Sequence, residues 1–197
     1  MGKRKRKRAG TSAWRRIDVV RLSLVRESSF LSRIRVETPS DAHGVFRRFL
    51  GKESDRELCA LLCLDAKCRP TAMQIVSVGT LDGTWIHPRE IYKTALAANA
   101  ASIICAHSHP SGDPEPSPED AAVTRRLVMA GAMIGIPLLD HLILGAGDEY
   151  VSMREVGRMD FYGPSAKFME GISGESPGKA NGPSASYTAA ERNIPPP

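Results

Sequence analysis

Between Ser40 and Glu155 the apolar positions switch repeatedly between helical and strand periods, and each switch marks an element. PSDAHGVFRRFL opens on a Ser/Asp start signal and places Val45, Phe46, Phe49 and Leu50 at helical spacing, which predicts a short amphipathic helix. RELCALLCLD is apolar on both faces of an extended chain. Cys59, Leu61 and Cys63 point one way, and Leu58, Ala60, Leu62 and Leu64 the other. A strand with two apolar faces belongs inside a sheet. AKCRP supplies a turn, and TAMQIVSVG reads as the hairpin partner of that strand.

The next stretch, GTLDGTWIHPREIYKTALAANA, begins as a Gly-rich strand or loop. Pro88 then suits the first turn of a helix carrying Ile91, Leu96 and Ala97. ASIICAHSH is a strand of small and β-branched residues ending in two histidines, and PSGDPEP must be a loop. SPEDAAVTRRLVMAGAMIG starts a helix strongly, with Ser117 as N-cap, Pro118 at the first helical position and acids in the first turn; Gly131 stands near its end. IPLLDHLILG is a buried strand, and DEYVSMRE a shorter one that pairs with it through the GAGD turn. The sum is an α/β (α+β) domain over residues 38–161. Before it, RIDVVRLSLVRES reads as a short strand or helix within an otherwise weakly patterned leader.

Composition changes this picture at the two ends. Of 197 residues, 42% are hydrophobic and 25% charged, an ordinary globular balance. Residues 1–35 carry twelve Lys or Arg against Asp18 and Glu27, a balance of +10. The whole chain is +5, so the remainder sums to −5. Residues 1–37 are therefore a basic arm on a mildly acidic body, suited to non-specific contact with nucleic-acid phosphates or, equally, to solvent or an acidic surface. Residues 162–197 form a Pro/Gly/Ser-rich tail ending in IPPP, expected to be disordered. No apolar run is long enough for a membrane span, and no apolar segment follows MGKRKRKRAG as a secretory signal requires. Cys59, Cys63, Cys68 and Cys105 form no CxxC pair and read as reduced thiols, which places the protein in the cytoplasm.

The chemistry concentrates in HSHPSGDPEPSPED, residues 107–120. Alternate residues of a strand share a face, so His107 and His109 present two imidazoles together. Asp120 heads a helical stripe with Val123, Leu127, Ala130 and Ile134, which aims an acid inward beside them. That arrangement is costly without a positive charge. Each residue alone has an ordinary reading: a polar strand end, a helix-start acid, a cap. Together they favour a metal. Two imidazoles and a carboxylate leave a fourth tetrahedral position for water, the pattern of a catalytic zinc site, in which Zn2+ acidifies that water. A general base is then needed. Glu57, opening a strand that reads as buried, is the first choice, and Glu90 in HPRE the reserve. Ser117 can cap the helix and also hydrogen-bond a substrate oxygen or the water. His141 reads as a satisfied strand histidine, with a role behind the metal ligands as the lesser option. Cys105 shares strand parity with His107, but a buried thiol is its ordinary reading. His43 and His87 have no evident partner.

The motif His107-Ser108-His109, seven residues, Ser117, two residues, Asp120, with an upstream glutamate, resembles the JAMM motif of the JAB/MPN metalloproteases. GTLDGTWIHPREIYKTALAANAASIICAHSHPSGDPEPSPED, GIPLLDHLILG and EYVSMRE resemble its RadC-like branch. The likeness spans residues 38–161. It implies a JAB/MPN-type mixed sheet flanked by helices, with zinc held by His107, His109 and Asp120. It also implies Glu57 as the catalytic glutamate, Ser117 as the oxyanion-stabilising serine, and zinc-dependent hydrolysis of peptide or isopeptide bonds in a protein or peptide substrate. RadC-like proteins commonly carry a helix-hairpin-helix region before this domain. The short basic leader here does not resemble one, so a DNA-repair-type role rests on the arm alone. The resemblance leaves the natural substrate and the oligomeric state open.

Overall fold

The computed structural model describes residues 18–19, 21, 23–29, 34–51, 56–79, 86–159 and 187. The first seventeen residues of the basic arm, most of the Gly-rich segment before Pro88 and nearly all of the tail lie outside them. The described residues between Asp18 and Ser29 belong to no helix or strand; Arg16, Ile17, Val20 and Leu22 of the RIDVVRLSLVRES stretch lie outside the described residues. Among the described residues three helices and five strands follow one another as α1 (Pro39–Leu50), β1 (Leu58–Leu64), β2 (Pro70–Val78), α2 (Pro88–Ala97), β3 (Ser102–Ser108), α3 (Pro118–Ile134), β4 (Leu138–Leu144) and β5 (Tyr150–Ser152). The strands form one mixed sheet in the order β2-β1-β3-β4-β5.

The two-faced apolarity of β1 becomes a three-layer packing. Cys59, Leu61 and Cys63 join Ile103 and Cys105 of β3 against Ile91, Tyr92 and Ala95 of α2 and Leu127 of α3. Ala60, Leu62 and Leu64 join Ile104 and Ala106 against Val45 and Phe46 of α1. β3 lies between an antiparallel neighbour, β1, and a parallel one, β4. Parallel strands need a crossover, and α3 supplies it. The end of β3 therefore meets the start of β1 and the N-terminus of α3.

Three details depart from the sequence reading. The cap of α1 is Thr38, with Pro39 at the first position, rather than the Ser/Asp pair that follows. On α2 the buried residues are Ile91, Tyr92, Thr94 and Ala95, while Leu96 is exposed. On α3 they are Ala121, Thr124, Leu127 and Gly131, so the stripe is rotated from the one expected and Ile134 faces outward. Gly131 is a packing residue: a methyl there would meet the Tyr92 hydroxyl and lie 2.6 Å from the Ile136 carbonyl oxygen. The helix stops instead at Gly135, whose left-handed conformation (φ 80°) suits glycine.

β4 carries a bulge. Ile103 and Ile104 pair with Leu138 and Asp140, leaving Leu139 as an extra residue. An extra residue reverses the facing of everything after it. Asp140 consequently points to the α1 side and His141 to the α3 side. Asp140 is fully buried, accepts from the hydroxyls of Ser152 (2.6 Å) and Tyr187 (2.9 Å), and has its carboxyl pushed up to about 6 by burial. Tyr187 is the one described residue of the C-terminal tail. It is buried, its backbone N–H donates to the Glu37 carbonyl (2.6 Å), and the Arg154 guanidinium lies 5.0 Å from its ring centre.

Candidate metal centre

His107 is the penultimate residue of β3 and His109 the first beyond it, so strand alternation brings both to the α3 side. Their Nε2 atoms are 2.9 Å apart. His107 Nε2 lies 3.1 Å from Asp120 Oδ1, and His109 Nε2 lies 3.5 Å from Asp120 Oδ2. Glu57, one residue before β1, puts Oε1 4.0 Å from His107 Nε2. One donor atom each of Glu57, His107 and His109 falls within 4.8 Å of the others. Two carboxylates thus flank one pair of imidazoles.

Proton bookkeeping explains why this cluster asks for a cation. The Thr124 hydroxyl has one proton, and it goes to the Asp120 backbone carbonyl (2.7 Å). Thr124 Oγ1 must then accept from His141 Nδ1 (2.7 Å). Burial pushes His141 down to about 3, and repulsion from His107 adds to it, so the ring is neutral and its Nε2 carries a lone pair. That lone pair takes the proton of His107 Nδ1 (3.0 Å). On the other side, His109 Nδ1 donates to the Asp113 carbonyl (2.7 Å). With one proton on each ring, committed at Nδ1, the two Nε2 atoms present lone pairs to each other and to a carboxylate. Only a proton or a metal ion placed among them removes that repulsion. The pKa of His109 is raised by its contact with Asp120, against desolvation. Burial opposes the charge on Asp120, yet the imidazoles of His107 and His109 beside it hold its carboxyl well below the usual carboxylate range.

The spacing also fits a metal. Zinc bonds of roughly 2.0–2.1 Å at tetrahedral angles separate donors by roughly 3.3 Å. The separations of 2.9, 3.1 and 3.5 Å among His107, His109 and Asp120 bracket that edge length, whereas Glu57 stands farther out.

The helix cap alone does not account for Asp120. Ser117 and Asp120 form a capping box on α3: the Ser117 hydroxyl and backbone N–H donate to Asp120 Oδ2 (2.6 and 2.8 Å), and Ser117 Oγ accepts from Asp120 N–H (3.1 Å). Thr38 and Asp41 build the same box on α1. Among the described residues the acid of α1 has no histidine contact, whereas on α3 the cap occupies Oδ2 and leaves Oδ1 turned to His107. The Ser117 proton is spent on Asp120 in this arrangement.

The remaining candidates fall elsewhere. Glu90 pairs with Lys93 (2.6 Å) and Arg89 (3.7 Å) on the exposed side of α2, the surface role of a first-turn acid. Cys105 is a core thiol; burial pushes Cys59 and Cys63 up to about 12 and Cys105 well above its ordinary value. The four cysteines are buried and form no disulfide. His87 caps α2, and His43 stacks on Tyr150 (4.4 Å) and accepts from Arg47 Nε (3.2 Å).

Two contributors were not singled out from the sequence. Ser108, between the histidines, points to the other side; its Oγ accepts from Leu58 N–H (3.0 Å) and donates to the Arg56 carbonyl (3.4 Å), which fixes the backbone on both sides of Glu57. Thr124 stands behind Asp120 and His141 as described above. The only sequence signal for either is a hydroxyl residue where an apolar one would pack.

Comparison with known proteins agrees with the geometry. A family model described as "RadC-like JAB domain" matches residues 36–158. The chain belongs to the RadC-like JAB domain family. Among relatives of the RadC-like domain, a UPF0758 protein of Methanosarcina barkeri is 45% identical over 106 residues, covering 54% of this chain and 46% of its own length. UPF0758 proteins of Roseiflexus castenholzii and Desulforamulus reducens are 43% and 41% identical, each over 64% of this chain and over 53% and 55% of their own lengths. The chain spans about half the length of the curated relatives it matches. The mixed five-stranded sheet with its helices is the α+β arrangement of a JAB domain, and no helix among the described residues is long and apolar enough to cross a membrane.

Proposed function

We infer that the RadC-like domain is a zinc-dependent hydrolase of peptide or isopeptide bonds, with a peptide or protein as substrate. One observation carries this reading: the Nε2 atoms of two imidazoles and a carboxylate converge at the spacing of tetrahedral ligands. His107, His109 and Asp120 would hold the ion. Zinc, when bound, supplies an acidified water and a Lewis acid for a carbonyl oxygen.

The chain's own residues do the rest. Glu57, beyond ligand spacing but within reach of the site, takes a proton at Oε1 and returns it to the leaving amine. Ser108 holds the backbone that carries it. Ser117 places Asp120, and its hydroxyl turns to a substrate oxygen only on releasing Asp120 Oδ2. Four buried thiols suit a reducing compartment such as the cytoplasm. Glu57→Gln should keep zinc and lose roughly 100-fold or more in turnover on a panel of peptide and isopeptide substrates, as removal of a general base does. Cleavage by that variant at the parental rate would remove Glu57 from the mechanism.

Charge segregation favours a second reading, in which the arm with its +10 balance binds nucleic acid independently of the site. Deleting residues 1–10 should then release the chain from DNA or RNA, retention should fall steeply with salt, and His107→Ala should change neither.

A further inference from the structure

We propose that His141 and Thr124 are positioning residues of the metal centre: a relay of fixed protons that holds the ligating nitrogen of His107 free and ties it to Asp120. The inference rests on the reading of the site as a metal centre. Histidine ligands need one ring nitrogen bare and the other anchored, and the anchor decides which is which. The anchor of His109 is the Asp113 carbonyl, which can only accept (2.7 Å). The anchor of His107 is another imidazole, which could accept or donate (3.0 Å). What makes it accept is the far end of the chain, where Thr124 gives its proton to the Asp120 carbonyl and so takes one from His141. The relay closes on itself. It begins at one ligand's backbone and ends at another ligand's ring, so both are held by one series of three hydrogen bonds.

The fold is shaped for this contact. His141 and Thr124 are fully buried. The Leu139 bulge turns His141 toward α3; a regular β4 would have faced it to the α1 side. Thr124 occupies the centre of the helix's buried stripe, between Ala121 and Leu127, where an apolar residue would otherwise pack. A buried histidine needs hydrogen-bond partners in any case, and that simpler explanation predicts a loss of stability alone. The relay predicts something else: a particular proton position in His107 and a change in metal affinity.

The test is long-range 15N–1H NMR of the zinc-free full chain, together with zinc titrations of the parent, His141→Leu, His141→Gln and Thr124→Val, with circular dichroism as the check on folding. In the parent His107 should carry its proton on Nδ1. His141→Leu should place protons on His107 Nε2 and weaken zinc binding by roughly 10- to 100-fold, the usual effect of losing a ligand's outer partner. His141→Gln retains an acceptor for Nδ1–H and should restore most of that loss, and Thr124→Val should weaken zinc binding less than His141→Leu. A His107 protonated on Nε2 in the parent, or unchanged zinc affinity in a folded His141→Leu or Thr124→Val chain, would overturn the relay. If His141→Leu does not fold, the tautomer of the parent and the Thr124→Val titration decide. Failure of the parent to bind zinc would instead sink the reading of the site, and the tautomer measurement would still judge the relay.

Discussion

Asp140 and Tyr187 show what single residues contribute away from the metal. Tyr187 gives its hydroxyl proton to a carboxylate with no exposure to solvent. Tyr187→Phe should cost about 1–3 kcal/mol, the penalty of a buried acceptor that loses a donor. The pH dependence has a definite sign. Burial raises Asp140 from 3.8 to about 6, so the folded chain binds the proton more tightly than the unfolded one. Its contribution to stability is full below pH 3.8 and is lost as pH rises through about 6. His141, lowered to about 3, acts in the opposite direction over the same range. The Asp140 slope should therefore appear in denaturant unfolding as the difference between the wild type and Asp140→Asn, with its midpoint moved upward in Tyr187→Phe. A wild-type slope preserved in Asp140→Asn would assign it to another group. At the site, Ser117→Ala should lower stability by about 0.5–2 kcal/mol through the lost cap. It should also weaken zinc binding, because Asp120 Oδ2 loses its hydroxyl donor; thermal melts and zinc titrations read the two effects separately. His107, His109 and Asp120 were legible in the sequence because each position follows from a local period, two on a strand and a capped first turn on a helix. Ser108 and Thr124 were not, and for His141 a place behind the ligands was only the lesser option, because their partners are set by lateral register and by which way a helix is rotated.

At the scale of elements, the site depends on two loops packed without room for a side chain. Gly112 N–H donates to the His109 carbonyl and Ala146 N–H to the Gly112 carbonyl, which pins the loop after β3 to the β4–β5 turn. Arg47 of α1 holds that turn by donating to the Gly145 carbonyl (2.6 Å). A methyl on Gly145 would fall 2.7 Å from the Gly112 carbonyl oxygen and 2.8 Å from Pro114 Cδ. Gly145→Ala should therefore shift the loop that anchors His109 and lose zinc affinity even where the fold persists. A parental zinc titration in that variant would show the loop to be more pliant than its packing implies. Alternation predicted β1 as an inner strand, and it lies between β2 and β3. The β4 bulge escaped the same reasoning, since Leu139 is apolar and a run of apolar residues conceals an insertion. On α2, alanines on both sides of the helix hid which face is buried: Tyr92 and Thr94 face the core and Leu96 does not.

Across the whole molecule, three elements distant in sequence meet at one cluster: the start of β1, the end of β3 and the first turn of α3. A ligand bound only by the folded state stabilises it by about 4 kcal/mol at roughly a thousand times its dissociation constant. Saturating zinc should thus raise the melting temperature of the wild type by several degrees and leave that of His109→Ala where it was. The charge of the arm had to be read at this scale too, since the pI of about 9.2 describes neither the basic leader nor the acidic remainder. The most direct test of the centre is the metal content of the purified full chain, by elemental analysis, in the wild type, His109→Ala and Glu57→Gln. Convergence of His107, His109 and Asp120 on one ion predicts about one zinc per chain in the wild type and in Glu57→Gln, and close to none in His109→Ala. A wild type that takes up no zinc when it is supplied, or a His109→Ala chain as fully loaded as the parent, would contradict it.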